Sequence, residues 1–256
     1  DYEKARFVTE KALSLDNSLV QAKLNIASID IEEGFVEKAI YALKNVLKEN
    51  RNYSEAITNI AYAFKKKGDF NSSIRYYRKA LRLPKKLPRS YFNLGTSLLS
   101  IKKFKEGWEK YEYRWKVDPG DKVVWPLKDK PLWDGKSASG VLLWREQGIG
   151  DDIIFLGLVP EAYEKAGKDM TVLIDPRLVA MCERSMPGIE FLPAVKGSVQ
   201  EDRFDYHLPM GSLPRLFRSS EEDFSKTRQS YLKADMERVE VLRKELGVEG
   251  KKVIGI

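Results

Sequence analysis

The sequence predicts two architectures in one chain: an α-helical solenoid in the first half and a wound α/β layer in the second, so the fold class is α plus α/β. Three observations carry this. Residue types recur every 34 positions between Asp1 and Asp118, and from Val141 onward short apolar runs alternate with helical patterns. Between them, from Val117 to Ser139, the helical period stops where Pro119, Gly120, Pro126, Pro131 and Gly135 accumulate. The 256 residues, 43% hydrophobic and 32% charged, suffice for two cored domains and argue against disorder or a disulfide scaffold. A single cysteine, Cys182, cannot pair internally, and with a lone histidine, His207, it offers no Cys/His metal set, so no metal is expected. The longest apolar run, near Ile153 to Val159, falls well short of the roughly 18 residues that cross a bilayer. Because a charged helical pattern begins at once from Asp1, no signal peptide is read and the expected compartment is the cytoplasm.

The recurrence sets the first half. Asn25, Asn59 and Asn93 stand 34 residues apart, as do Gly34 and Gly68, and Ala5, Ala39, Ser73 and Gly107 keep the same step. The clearest unit runs from Ser54 to Leu87: Ile60, Ala61 and Phe64 on a first helix, Gly68-Asp69-Phe70 at the turn, Ser73, Tyr77, Ala80 and Leu81 on a second, and Pro84 as the stop. Val20 to Tyr53 is similar. The unit from Pro88 carries Lys102 where the turn glycine is expected, and its second helix reads Gly107, Trp108, Tyr111, Glu112, Tyr113, Arg114, Trp115. A unit of this length, with small residues where helices meet, resembles the tetratricopeptide repeat. Asp1 to Asn17 match only a second helix, so residues 1–118 hold about three and a half repeats. Such units bury their apolar faces only by stacking, and more repeats are expected upstream.

The recurring asparagines have two readings. On the first helix of each pair they would line the groove of a superhelix, where their amides could bond the backbone of an extended acceptor peptide. Alternatively they bond helix to helix within the array. Charge adds little discrimination: residues 1–118 hold 24 basic and 15 acidic side chains, but these are dispersed along helices, so a solvated surface is expected and nucleic acid is not the expected partner.

Residues 119–139 read as a packed Trp/Pro-rich connector because they carry Trp125 and Trp133. Across 140–250, strands are expected at Val141–Arg145, Met170–Ile174, Ile189–Leu192 and Phe204–Leu208, with helices at Gly150–Ala166, Pro176–Ser185 and Glu237–Leu246, a Rossmann-like parallel sheet. Residues 251–256 read as the start of a further strand and domain. The chemistry concentrates in Glu146-Gln147-Gly148-Ile149-Gly150-Asp151-Asp152, between the first strand and its helix, where wound sheets place their ligands. It departs from the dinucleotide fingerprint: Ile153 stands at the third glycine, and two carboxylates would repel a pyrophosphate. An acid there is suited to taking a proton from a hydroxyl nucleophile.

Trp133-Asp134-Gly135, the run Leu142 to Asp151, Phe204-Asp205-Tyr206-His207-Leu208-Pro209, Ser212-Leu213-Pro214, Tyr231-Leu232 with Ala234, and the Gly107 to Trp115 helix together resemble bacterial tetratricopeptide-repeat glycosyltransferases over nearly the whole chain. The resemblance implies that the second half is the acceptor-side, N-terminal Rossmann-like half of a GT-B glycosyltransferase, similar to heptosyltransferases, in an arrangement like protein O-GlcNAc transferase. It implies an inverting, metal-independent enzyme with a nucleotide-sugar as co-substrate and no bound cofactor. Asp151 would be the general base, with Asp152 as the alternative. Glu146, Gln147, Gly148, Gly150 and His207 would meet the substrate, and the repeats would recruit an acceptor protein or glycan. The donor domain would follow Ile256, leaving these 256 residues inactive alone. The alternative function is a non-catalytic tetratricopeptide scaffold for protein interactions.

Overall fold

The computed structural model describes residues 1–85, 87–117, 125–226 and 230–252. The chain divides into two compact units, Asp1–Lys122 with Arg218–Glu221, and Val123–Phe217 with Glu222–Ile256. The expectations for Pro119, Gly120 and the strand after Lys252 lie outside the described residues. Among the described residues no helix is long and apolar enough to cross a membrane.

The first unit is a solenoid of paired helices, as the 34-residue recurrence predicts. Its helices are α1 (Tyr2–Leu15), α2 (Val20–Glu32), α3 (Val36–Glu49), α4 (Ser54–Lys66), α5 (Phe70–Leu81), α6 (Pro88–Ser100) and α7 (Phe104–Tyr111), and a 3-10 turn, Glu112–Lys116, follows. Local chemistry sets several boundaries. Asp1 and Asp69 cap α1 and α5 by accepting from Lys4 N and Ser72 N, and Pro88, whose missing N–H costs nothing at that position, opens α6. The turns within pairs close alike: Phe35 N donates to Asp30 O (2.7 Å), Asp69 N to Phe64 O (3.0 Å) and Lys103 N to Leu98 O (2.9 Å). This helix stop needs a left-handed residue, and Gly34, Gly68 and Lys102 take it at φ 91°, 82° and 61°. Lys102 therefore adopts the glycine conformation at the position where the repeat departs from glycine.

Small residues recur where helices touch. Ala39 and Ser73 are fully buried, and the hydroxyls of Ser73 and Ser97 are 3.0 Å apart. The tightest approach is α6 on α7, where a Cβ on Gly95 would sit 2.7 Å from Tyr111 N and 2.9 Å from Gly107 O. The core runs through Leu24, Ala27, Ile31, Leu43, Ile60 and Ala63, and continues through Ala61, Tyr77, Leu94 and Leu98. Asp30, nearly unexposed, is neutralised by Arg6 at 2.7 Å and Lys38 at 3.1 Å.

The second unit is built on a four-stranded parallel sheet: β1 (Val141–Trp144), β2 (Met170–Ile174), β3 (Glu190–Pro193) and β4 (Tyr206–Pro209), in the order β3-β2-β1-β4. Helices α8 (Ile149–Leu156), α9 (Val159–Lys165), α10 (Val179–Ser185), α11 (Leu213–Phe217) and α12 (Met236–Glu245) accompany it. Strands buried on both faces carry near-continuous apolar runs, as Val141-Leu142-Leu143-Trp144 does. Val141, Leu143, Val172, Ile174 and Leu208 pack with Leu156, Val159, Ala162 and Cys182, while Leu142 packs with Leu127 and Phe204. The described part of the connector belongs to this unit. Trp133 is buried, its Nε1 donates to Lys136 O at 2.7 Å, and Leu132 bridges in parallel to His207 beside β4.

Two expected helices differ. The single helix over Gly150–Ala166 is instead α8 and α9, because Gly157 ends the first against the Tyr231 ring, 3.1 Å from where a Cβ would be, and Pro160 lies in the first turn of the second. The helix expected from Pro176 begins as a 3-10 turn, Pro176–Leu178, before α10.

Candidate functional site

Two places gather the residues that the sequence singles out, and the first is a formed cavity. The first lies between first helices of the array. A cavity of about 430 Å³ is lined by Ser28 and Glu32 of α2, Asn59 and Tyr62 of α4, and Arg89, Phe92 and Asn93 of α6, with Tyr2 and Val117. The 34-residue step is what lays Asn59 and Asn93 in one groove, because each repeat places the same face of its first helix there. Asn25 is not among the lining residues: it is exposed, and its amide oxygen accepts from Gln21 of its own helix at 3.0 Å. Both readings of the asparagines have a physical basis here. Asn59 Nδ2 donates to Ser28 Oγ at 3.2 Å, a helix-to-helix bond, while Lys65 Nζ reaches Thr96 Oγ1 at 2.7 Å and Asn93 Oδ1 at 3.5 Å. Burial lowers the Lys65 pKa, and burial with the bond to Glu32 raises that of Tyr62, whose hydroxyl donates to Glu32 at 2.6 Å.

The second place is the mouth of the sheet. The chain winds β1, β2, β3 outward on one side and returns to place β4 on the other side of β1, so the switch point lies between the carboxyl ends of β1 and β4. Wound sheets bind ligands in the crevice that opens there. The loop after β1 and the turn Met210–Ser212 after β4 form its sides, and Glu146 joins them by accepting from Gly211 N at 2.7 Å. Gln147, Gly148 and Gly150 are exposed on the loop, and nothing lies within 4 Å of a Cβ built on Gly150. Asp151, half-buried in the first turn of α8, has its backbone N–H on Gly148 O at 3.1 Å.

Three expected site residues are placed otherwise. Asp152, the alternative base, is 1% exposed and faces Arg145 Nε at 2.9 Å. Burial outweighs that cation and pushes its carboxyl up to about 6. Consecutive residues in a helix point about 100° apart, so one of this pair had to turn toward the sheet. Glu146 is spent on Gly211 rather than facing the crevice with the exposed loop residues. His207 is also withdrawn, at 1% exposure, because it lies inside β4, opposite Leu142 of β1, and not at a strand end. Its Nδ1 accepts from Trp144 Nε1 at 3.0 Å, Trp125 meets it edge-on, and burial lowers its pKa.

Arg145 lies in the run from Leu142 to Asp151 and holds that loop in place. Its guanidinium pairs with Asp152, with Asp175 at 3.0 Å at the end of β2, and with Gln147 O at 2.7 Å, tying the loop to two strand ends. Arg177 also binds Asp175, whose carboxyl is held well below the usual range, first by that bond. Among the described residues no group of three or more His, Cys, Asp or Glu side chains is arranged to hold a metal ion.

Residues 54–86 match the tetratricopeptide repeat family. Protein FlbA of Caulobacter vibrioides is 28% identical over 207 residues, 73% of this chain and 34% of that protein, so the chain spans about a third of the length of this curated relative. Among solved structures, a crystal structure of MamA has a TM-score of 0.39 at 19% identity, covering 66% of this chain and 80% of that one. The crystal structure of YrrB, described as a tetratricopeptide protein with an unusual peptide-binding site, has a TM-score of 0.38 at 17% identity, covering 44% and 58%.

Proposed function

We propose that this chain recruits a protein partner by holding an extended segment of it in the groove between the first helices of the repeat array. The observation that carries this reading is the convergence of Asn59 and Asn93, one repeat apart, on a single cavity of about 430 Å³ that also presents Arg89, Tyr62 and Phe92. Paired amides can donate to and accept from a peptide backbone without reading its side chains, and the aromatic rings supply apolar contact. The test is the double variant Asn59→Ala/Asn93→Ala probed with a displayed peptide library. Loss of peptide capture at an unchanged melting temperature supports the groove. Retained capture with a lowered melting temperature assigns both amides to bonds within the array and removes the reading.

A second reading is favoured by the crevice: in the full-length protein the sheet unit is the acceptor side of an inverting sugar transferase. What supports it is the division of labour between neighbouring carboxylates, Asp152 committed to Arg145 and Asp151 half-exposed at the switch point, together with the motif likeness of the two loops. Asp151 would take the proton of an acceptor hydroxyl as its oxygen attacks the anomeric carbon and the nucleoside diphosphate departs. Donor binding would fall to a second wound sheet, which the described residues do not contain. Sugar transfer by the full-length protein, lost in Asp151→Asn with folding intact, supports this reading. Absence of transfer with any nucleotide-sugar leaves the interaction function alone standing.

A further inference from the structure

Several cations of the array are neutralised by carboxylates of adjoining elements. Arg6 pairs with Asp30 and Glu33, Lys66 with Glu32, Lys67 with Glu37, and Lys85 with Glu55. One region gathers cations that mostly lack such partners around a single cavity. A second cavity, of about 510 Å³, is lined by Arg75, Arg78, Lys79 and Arg82 at the end of α5 and by Lys103 at the start of α7. Of these five exposed cations only Arg78 has an ion-pair partner among the described residues, Glu106 at 2.7 Å. The floor is aliphatic, Ile74 and Ile101, with Asn71 completing the wall. None of these residues lines the asparagine groove.

The arrangement follows from helix geometry. Positions 75, 78, 79 and 82 are spaced i, i+3, i+4 and i+7, so they share one face of α5 and extend over roughly 10 Å along its axis. Like charges at i,i+4, here Arg75 with Lys79 and Arg78 with Arg82, oppose helix formation, and among the described residues only Glu106 forms an ion pair with them, Asp69 adding a weaker attraction for Arg75. From this uncompensated charge around an aliphatic floor, we infer that the α5 face is a second docking surface, built for an acidic, extended segment of a partner protein. A stretch of roughly 10 Å matches about three extended residues, so two carboxylates at alternate positions can face the four α5 cations, and an aliphatic residue flanking them can reach Ile74 and Ile101. Single-stranded nucleic acid would call for exposed rings on which bases stack, and no aromatic residue lines this cavity. A membrane surface would call for apolar side chains projecting beyond the cations, whereas here they lie at the floor.

The experiment measures binding of a labelled peptide alternating glutamate and leucine to the whole chain, by fluorescence anisotropy across a salt series. Saturable binding is expected at low salt, falling as salt rises. The triple variant Arg75→Glu/Lys79→Glu/Arg82→Glu is expected to weaken it by about tenfold or more. The neutralising variant Arg75→Gln/Lys79→Gln/Arg82→Gln, with helicity and melting checked by circular dichroism, is expected to show the same loss if charge reversal disturbs the fold. Asn59→Ala/Asn93→Ala should leave this binding unchanged, which separates it from the groove reading. Equal peptide affinity in the folded neutral variant overturns the inference, as does loss of binding in the asparagine variant instead. Tighter, α5-dependent binding of oligouridylate, or of phosphatidylserine vesicles, overturns it in favour of a nucleic acid or a lipid surface.

Discussion

The Glu146 carboxylate occupies the space that a side chain at position 211 would fill: a Cβ on Gly211 would lie 2.2 Å from Glu146 Oε1, and the same oxygen accepts from Gly211 N at 2.7 Å. It is the missing side chain at 211, and not a left-handed backbone, that lets the carboxylate come this close. Gly211→Ala must displace the carboxylate, the far end of a flexible side chain, and so breaks the bond that joins the two loops. A loss of about 1–3 kcal/mol is expected in urea unfolding, from steric displacement and an unpaired buried N–H. Glu146→Gln, which keeps an acceptor oxygen, is expected to lose less. No loss in either variant would mean that the contact is incidental.

The closest approach of α6 and α7 yields a second prediction. Because a Cβ on Gly95 meets backbone atoms of Tyr111 and Gly107, no side-chain rotation can relieve it. Gly95→Ala is expected to cost about 1–3 kcal/mol or more, despite the higher helix propensity of alanine. Thermal melting reads the result; a more stable variant would show that the two helices can separate freely.

Lys102 predicts the opposite sign. Its φ of 61° is costly for a residue with a Cβ and free for glycine, while glycine carries a larger entropy loss on folding. Lys102→Gly is therefore expected to be neutral to stabilising by up to about 1 kcal/mol, the net of those two effects. A clear loss of stability would mean that the exposed ion pair of Lys102 with Glu221 is worth more than the strain.

His207 sets a pH dependence. Nδ1 accepts from the Trp144 N–H, so the folded state holds the neutral ring, and burial keeps its pKa below the ordinary 6.5. The unfolded chain takes the proton first as pH falls, so the stabilising contribution is present above about 6.5 and is lost below it, by at most about 1.4 kcal/mol per pH unit. Asp152 acts oppositely: with its pKa raised from 3.8 to about 6, its contribution is full below 3.8 and lost as pH rises through 6. Comparing melting temperatures of the native chain and His207→Gln across this range cancels the Asp152 effect, which both share. A steeper decline on acidification in the native chain is expected, and parallel curves would show that the imidazole is not held neutral.

The solenoid was legible because its determinants are local and repeated. Gly34, Gly68 and the small residues at Ala39, Ser73 and Gly107 report helix stops and contacts that recur at one period, and even the exception at Lys102 could be located by position. The wound sheet was legible from its apolar runs, though the break between α8 and α9 was not, because Gly157 answers to Tyr231, far along the chain. The crevice was legible only as a stretch of loop. Gln147, Gly148 and Gly150 lie exposed there, but Glu146, Asp152 and His207 all proved to be committed inward.

Spacing along the chain determines which faces of successive first helices correspond, and so puts Asn59 and Asn93 on equivalent faces; that Asn25, at the same step, does not join their groove was decided in three dimensions. Which of two adjacent carboxylates is buried, and whether a strand histidine faces water or tryptophan, was decided only in three dimensions. Those outcomes depend on where Arg145, Trp144 and Trp125 arrive from other elements, and desolvation and charge pairing act through distance in space, not separation in sequence.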